Sequence, residues 1–365
     1  MAEKRSGTRG GARRTTQRRN AKKKQQNWLE RNSLGIIIAS MSAIAVVAAV
    51  LLFAFIPYSG NEEQWIYIPE NATRAQVKDS LKTHLGSGMG MRVYTMWRAE
   101  GGNPQKSNGA YKVTEGETAL KIAHRISTGR QTPVKVSFRG ARTMKQVASR
   151  IASQLQFDQD SFLEACADVL PEKGFEEEEF IAAFIPDTYE FYWSASPVNV
   201  VNRLLDYRNE FWTPERVRKA SEMGLSKVEV ATIASIVEEE TAKSDERPKV
   251  ARLYLNRLKK GMKLQADPTV KFAVGDFSLR RILGSHLKVD SPYNTYKVNG
   301  LPPGPIRMPD AKTLDAVLNA PQHPFIYMCA KEDFSGYHNF ATDYDTHLAN
   351  ARRYQAALNA RGIKK

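Results

Sequence analysis

Cysteine is nearly missing from this chain: only Cys166 and Cys329 occur in 365 residues, too far apart for a disulfide framework or a zinc-ligand spacing. Both are read as ordinary buried thiols. HExxH, CxxC and GxSxG are absent, and GSGMG at Gly86 to Gly90 lacks the GxGxxG spacing. Zinc protease, serine hydrolase and dinucleotide chemistry therefore have no foothold, and nothing in the sequence calls for a metal or a cofactor. Acidic residues are also in deficit, with 39 Asp and Glu against 54 Lys and Arg, a net charge of +15. That excess is local. The first thirty-one residues hold eleven Lys and Arg against Glu3 and Glu30, a net +9 that leaves +6 for all the rest.

The segment after the basic tail accounts for it. Leu34 to Ile56, LGIIIASMSAIAVVAAVLLFAFI, runs for 23 residues without a charge, about 34 Å of helix at ~1.5 Å per residue and enough to cross a hydrocarbon core. A cleaved signal peptide would have an apolar core of only ~7–15 residues. The sequence thus predicts residues 1–33 as a disordered cytoplasmic tail and 34–56 as one transmembrane helix, with everything after Pro57 on the far side of the membrane by the positive-inside rule. A nucleic-acid partner is not expected, because the membrane explains the charge and no aromatic residue is interleaved in the basic run.

Beyond the membrane an internal echo occurs. IYIPENATRAQVKDSL, YKVTEGETALKIAHRI and VSFRGARTMKQVASRI each read as a strand, a turn, a Thr at the N-cap and an amphipathic helix. Thr73 with Gln76 and Thr143 with Gln146 have capping-box spacing, whereas Thr118 is followed by Lys121. One such unit cannot bury a face alone, so at least the first two are expected to pack together in a small α+β domain within residues 57–133. Its middle unit, YKVTEGETALKIAHRIS, resembles a LysM module, which grips N-acetylglucosamine polymers; strand, turn and capped helix are also plain packing grammar. Between Leu155 and Gly224 the pattern is mostly helical, interrupted by FIPDTYEFYW, Phe184 to Trp193. This segment is either a buried plug or a stacking wall for sugar rings, with Tyr189 offering a face and Asp187 accepting from a hydroxyl.

The stretch IASIVEEET closes an apolar helix with three glutamates. Val230, Ile233, Ala234 and Val237 follow the i, i+3, i+4, i+7 pattern of a core-facing stripe. At ~100° per residue from Val230, Glu239 falls near 180° and is expected in solvent, Glu238 near about +80° and Glu240 near about −80°, on the two borders of the stripe. Glu240 is flanked by Ile236 and Val237, Glu238 by Ala234 and Ser235. A carboxyl against apolar groups resists ionisation, which makes Glu240 the better general acid; a border glutamate that reaches out to water is the plain alternative.

After the glutamates come SDERPKVARLYLNRLKKGMKLQADPTV, DSPYNTYKVNGLPPGPIRMPD, PFIYMCAK and GYHNFATDYDTH. With ASIVEEET and IPDTYEFY, in this order and spacing, the chain resembles the MltG or YceG-like endolytic murein transglycosylases of bacterial inner membranes, most strongly from Ala234 to Phe340. The resemblance implies an α+β chain built of a transmembrane helix, the LysM-like domain and, over residues 134–365, a larger catalytic domain with a helical insertion. It implies a lyase that cuts the MurNAc–GlcNAc β-1,4 bond of nascent peptidoglycan and leaves 1,6-anhydro-MurNAc ends, with Glu240 as the catalytic acid of an E-x-E-T motif. Glu238 matches the first glutamate of that motif and is expected in the cleft as a substrate contact. Gln265, Asp267, Asn294 and Tyr296 are placed in the cleft as substrate contacts, although ADPT is also a good helix start and GLPPGPI a rigid connector. The implied partners are glycan strands, the cytoplasmic membrane and cell-wall synthases of the penicillin-binding class, at the periplasmic face of the inner membrane. Two segments depart from the family pattern: Arg307, Met308, Pro309 and Asp310 after GLPPGPI, and Thr346, His347 and Leu348 where the family has Glu-His-Asn. A non-catalytic glycan-binding scaffold and a muramidase-type hydrolase, the latter with Glu238 or Asp267 activating water, are the alternatives.

Overall fold

A computed structural model describes residues 11–60, 62–279 and 281–362. Helices and strands mix along the chain, and it divides into two compact units, Met1–Gln131 and Thr132–Lys365. In order, the first unit holds α1 (Gly11–Phe55), β1 (Gln64–Ile68), α2 (Arg74–Ala99), β2 (Gly109–Val113) and α3 (Ala119–Ser127). The second begins with β3 (Val134–Ser137), α4 (Met144–Ala152), α5 (Gln159–Glu172), a 3-10 turn at Glu177–Ala183, β4 (Thr188–Phe191), α6 (Pro197–Phe211) and α7 (Pro214–Glu222). It continues with α8 (Lys227–Glu240), α9 (Arg247–Lys259), α10 (Asp267–Val274), α11 (Ala311–Leu318), β5 (Tyr327–Ala330), β6 (His338–Ala341) and α12 (Tyr344–Ala360). Among the described residues the strands form three separate antiparallel pairs, β1 with β2, β3 with β4 and β5 with β6.

One helix among the described residues is long and apolar enough to cross a membrane, over Glu30–Phe55. It is the C-terminal part of α1, which begins at Gly11 and so takes in residues 11–33, where the sequence suggests disorder. Lys, Arg, Gln and Ala are good helix formers and here continue an existing helix, which spares them the cost of nucleation. Residues 1–10 of that tail lie outside the described residues. Immediately after α1 the chain is stitched to the β2–α3 turn, where Tyr58 N–H donates to the Glu117 carbonyl and Gly116 N–H to the Tyr58 carbonyl (2.8 and 2.9 Å).

All three echo threonines cap a helix. Thr73, Thr118 and Thr143 accept from the backbone N–H of Gln76, Lys121 and Gln146. The full capping box forms only at Thr73; the Gln146 side chain instead accepts from Arg142 N–H, one residue before the cap (2.9 Å). The first two units pack on each other: β1 pairs with β2, and Ile66, Leu81, Trp97, Tyr111, Ile122 and Ile126 are fully buried between them, each contributing about 1.5–3 kcal/mol. The GSGMG stretch is a bend in α2. Gly86 takes φ 78°, and Gly90 comes up against the Leu81–Lys82 backbone, where any Cβ would collide. The third unit belongs to the second compact unit, its strand β3 pairing with β4 from the FIPDTYEFYW segment.

The second unit is organised around α8. Ser226 and Glu229 close a capping box at its start, and every residue from Val230 to Glu238 is buried. Such a helix is covered on all sides rather than along one stripe. One cover is the GLPPGPI segment: Gly304 lies against the Glu178 carbonyl with no room for a Cβ, and Ile306 N–H donates to Ser235 Oγ (3.0 Å).

Candidate active site

The last turn of α8 carries Glu238, Glu239 and Glu240 at the negative end of the helix dipole, where acids are disfavoured. Arginines offset the first two. Glu239 accepts from both sides of its carboxylate, from Arg142 Nη2 (2.9 and 3.0 Å) and from Arg307 Nη1 (2.7 Å), and its side chain is only 12% exposed. It does not face solvent as the helical wheel predicts, because the face opposite Val230 is covered by the segments carrying Arg142 and Arg307. Glu238 is drier still. Its carboxylate accepts from Asp310 N–H (2.9 Å) and Thr313 Oγ1 (2.7 Å) and pairs with Arg307 Nη2 (3.1 Å). It is thus spent on the N-terminus of α11 and is not among the residues that line the cavity beside Glu240. The substrate contact expected of Glu238 is corrected to a packing role. Arg307, Asp310 and Thr313 are the residues that hold it.

Glu240 differs from both neighbours. It is half-buried, and its one hydrogen bond among the described residues is from Tyr254 Oη to Oε1 (2.8 Å). No ion pair reaches it among the described residues. Desolvation pushes its carboxyl up from 4.5 to about 7; the Tyr254 hydrogen bond opposes this, the charge of Asp267 adds to it, and Arg257 and Glu239 make smaller opposite contributions. What sets Glu240 apart is therefore the lack of a neutralising partner more than dryness, since Glu238 is the more buried residue. Tyr254→Phe removes the bond that favours the carboxylate, so the Glu240 titration midpoint moves above about 7, as read by carboxyl 13C NMR.

Glu240 opens onto a cavity of about 250 Å³. Helix α9 supplies Tyr254 and Arg257, three apart on the face that also carries buried Val250. Arg257 donates to the carbonyls of Ile326 (2.6 Å) and Leu264 (2.8 Å) and to Gln265 Oε1 (3.2 Å), which fastens two walls together. Gln265 takes φ 50°, a left-handed conformation unusual for a residue with a side chain, and is held there by its N–H to the Thr295 carbonyl (3.1 Å). Asp267, in the first turn of α10, accepts from Tyr296 Oη (2.6 Å). The sequence-predicted Gln265, Asp267 and Tyr296 thus line the same cavity as Glu240.

Asn294, Asp187 and Tyr189 do not. Asn294 is fully buried, donating from Nδ2 to the carbonyls of Leu287 and Val289 (3.0 and 2.8 Å) while Oδ1 accepts from Tyr296 N–H (3.2 Å). It shapes the loop that presents Tyr296. Tyr189 is 5% exposed, donates to the Ile185 carbonyl (2.6 Å) and stacks on Phe138 with ring centroids 5.5 Å apart. It has no face left for a sugar. Asp187 accepts from Tyr207 Oη and from its neighbour Thr188 N–H. Within FIPDTYEFYW, Phe184, Ile185, Pro186, Tyr189 and Phe191 are buried, whereas Thr188, Glu190 and Tyr192 are exposed. Tyr189→Phe leaves the ring packed and removes one buried bond, a loss of about 1 kcal/mol in urea unfolding.

Sequence reasoning missed eight lining residues, among them Tyr254, Arg257, Cys329 and His338, which bring a hydroxyl, a charge, a thiol and an imidazole. For the first two a signal exists: Val250, Tyr254 and Arg257 are spaced i, i+4, i+7, so a hydroxyl and a charge interrupt an apolar stripe. Cys329 and His338 come from the β5–β6 pair, whose register sequence does not announce. Cys166 is the buried thiol expected, pushed up to about 12 by desolvation, while Cys329 is half-buried at the cavity wall. Met308 is buried, its N–H donating to the Ala141 carbonyl (2.9 Å), and His347 stacks on Tyr327 (5.2 Å); neither lines the cavity.

Comparison with known proteins points the same way. An endolytic murein transglycosylase of Bacillus subtilis (strain 168) is 44% identical over 116 residues, 31% of this chain and 32% of that protein. One from Streptococcus pneumoniae serotype 2 (strain D39) is 31% identical over 170 residues, 45% of this chain and 31% of that protein. The chain thus matches about a third of the length of these curated relatives. A crystal structure of a YceG-like protein from Listeria monocytogenes superposes with a TM-score of 0.53 at 23% identity, over 80% of this chain and 99% of that one, a likeness of fold. The sequence profile of the YceG-like family matches residues 66–353, and the chain belongs to that family.

Proposed function

We propose that this protein is a peptidoglycan lytic transglycosylase, anchored in the cytoplasmic membrane by Glu30–Phe55, that cuts glycan strands internally with Glu240 as its acid. The observation that carries the reading is a carboxyl at the edge of a cavity, with one tyrosine bond and no ion pair among the described residues, pushed up to about 7 by desolvation. Near neutral pH such a group is protonated in a large fraction of molecules, and after donating it accepts a proton again with little penalty. Endolytic murein transglycosylase is the name carried by the relatives, which supports the substrate class.

The chemistry balances with this one residue. Glu240 gives its proton to the oxygen joining MurNAc C1 to GlcNAc, the C1–O bond breaks, and the C6 hydroxyl oxygen of the same MurNAc bonds to C1 while its proton passes to the Glu240 carboxylate. No water is consumed, and the product end is a 1,6-anhydro ring. Asp267 and the Tyr254 and Tyr296 dipoles surround the space where positive charge develops at C1. An N-terminus on the cytoplasmic side, a LysM-like grip by the first unit, glycan-chain termination and contact with cell-wall synthases belong to the same reading.

Digestion of purified peptidoglycan by the full-length protein in detergent, with new ends identified by mass, tests it. Anhydro-MurNAc ends that disappear in Glu240→Gln are the expected result. Reducing ends would instead mark a hydrolase using Asp267, and glycan retention without cleavage a scaffold.

A further inference from the structure

The cavity beside Glu240 holds a polar group that this chemistry leaves unused. His338, the first residue of β6, is gripped twice by Glu246: its backbone N–H donates to Oε1 (2.8 Å), and its ring Nδ1 lies 2.8 Å from Oε2. Oε2 also receives Thr241 Oγ1–H (3.0 Å), from the residue directly after Glu240. The Glu246 side chain is only 5% exposed. An ionised carboxylate can only accept, so the proton shared with the ring sits on Nδ1. The other nitrogen, Nε2, hydrogen-bonds to no described residue, and the ring lines the cavity with Glu240.

The other donors on the α9 and Tyr296 walls are engaged within the protein. Tyr254 donates to Glu240, Tyr296 to Asp267, and Arg257 to backbone carbonyls and Gln265. Tying β6 to the α8–α9 connection needs only the backbone bond to Glu246. The additional grip on Nδ1 fixes the ring's orientation and tautomer, a device that matters when the far nitrogen meets a ligand.

We propose that His338 is a ligand-contacting residue of this site, its Nε2 accepting a hydrogen bond from a sugar hydroxyl seated against Glu240, and that Glu246 is the positioning residue that keeps the proton on Nδ1. The inference rests on the glycan substrate proposed above and names a contact within it.

The test uses full-length protein in detergent with peptide-free oligomers of alternating GlcNAc and MurNAc. Binding is compared between Glu240→Gln, in which cleavage is blocked, and Glu240→Gln with His338→Asn. Asparagine keeps an amide near the Nδ1 position, within reach of Glu246, and lacks the far nitrogen. Affinity falls about tenfold, the worth of one hydrogen bond, with the melting temperature unchanged; equal affinity overturns the proposal. Ring 15N spectra of His338 in the otherwise unaltered Glu240→Gln protein keep it falsifiable should the double variant unfold. Nδ1 carries the proton and the bare Nε2 resonance shifts when oligomer is added, whereas a proton on Nε2, or an Nε2 resonance that stays put at saturation, overturns it. Failure of Glu240→Gln to bind any glycan overturns the substrate reading and this inference together, while binding that His338→Asn leaves intact overturns this inference alone.

Discussion

Glu240→Gln lowers the rate of glycan cleavage by about 10³-fold, the usual worth of a positioned proton donor, and makes the folded protein more stable above neutral pH. Both effects have one origin. The Glu240 carboxyl is pushed up from 4.5 to about 7, so between those values the native state holds a proton that the unfolded chain has released. Stability of the unaltered protein therefore declines as pH rises through that window, and the cost is present in full above it. Glutamine does not ionise, and its side-chain oxygen still accepts from Tyr254. At pH 8 the variant gains up to about 3 kcal/mol of unfolding free energy, and below pH 4 it gains nothing. Denaturant unfolding at the two pH values reads the difference. A variant that loses activity without gaining stability at pH 8 would show that Glu240 ionises freely in the native state.

Glu238→Ala has the opposite profile. Removing this carboxylate strips Asp310 N–H and Thr313 Oγ1 of their acceptor and takes away one of the two carboxylates paired with Arg307. Breaking a buried, hydrogen-bonded pair costs about 3–5 kcal/mol, which appears as a lower denaturation midpoint with cleavage per folded molecule retained. Loss of turnover at an unchanged midpoint would return Glu238 to the cavity and to the chemistry.

The contrast between these two residues shows how far the pattern reaches. Helical periodicity puts Glu240 beside Ile236 and Val237, but Glu238 is the drier of the two, and what separates them is the pairing of Glu238 with Arg307, which periodicity does not show. The same wheel misplaces Glu239, since it assumes one buried face; the run VATIASIV, small or apolar at every position, is the mark of a helix covered all round. The threonine caps were legible because N-capping is local, and only the reach of Gln146 differs, by one residue. Asn294 and Tyr189 show the opposite limit. Their residue types suit sugar contact, but the direction of each side chain is set by partners distant in sequence or by the loop backbone, such as Phe138 for Tyr189 and the Leu287 and Val289 carbonyls for Asn294. Arg142 and Arg307 could not be assigned to Glu239 for the same reason, lying 97 and 68 residues away along the chain.

One carboxyl, Glu240, holds its proton near neutral pH because it is desolvated and forms no ion pair with any described residue. Carboxyl 13C NMR of the full-length protein in detergent, with Glu240→Gln identifying the resonance, measures this directly. The expected midpoint lies near 7 and rises further in Tyr254→Phe; a midpoint at or below 4.5 would mean that Glu240 ionises as it does in water.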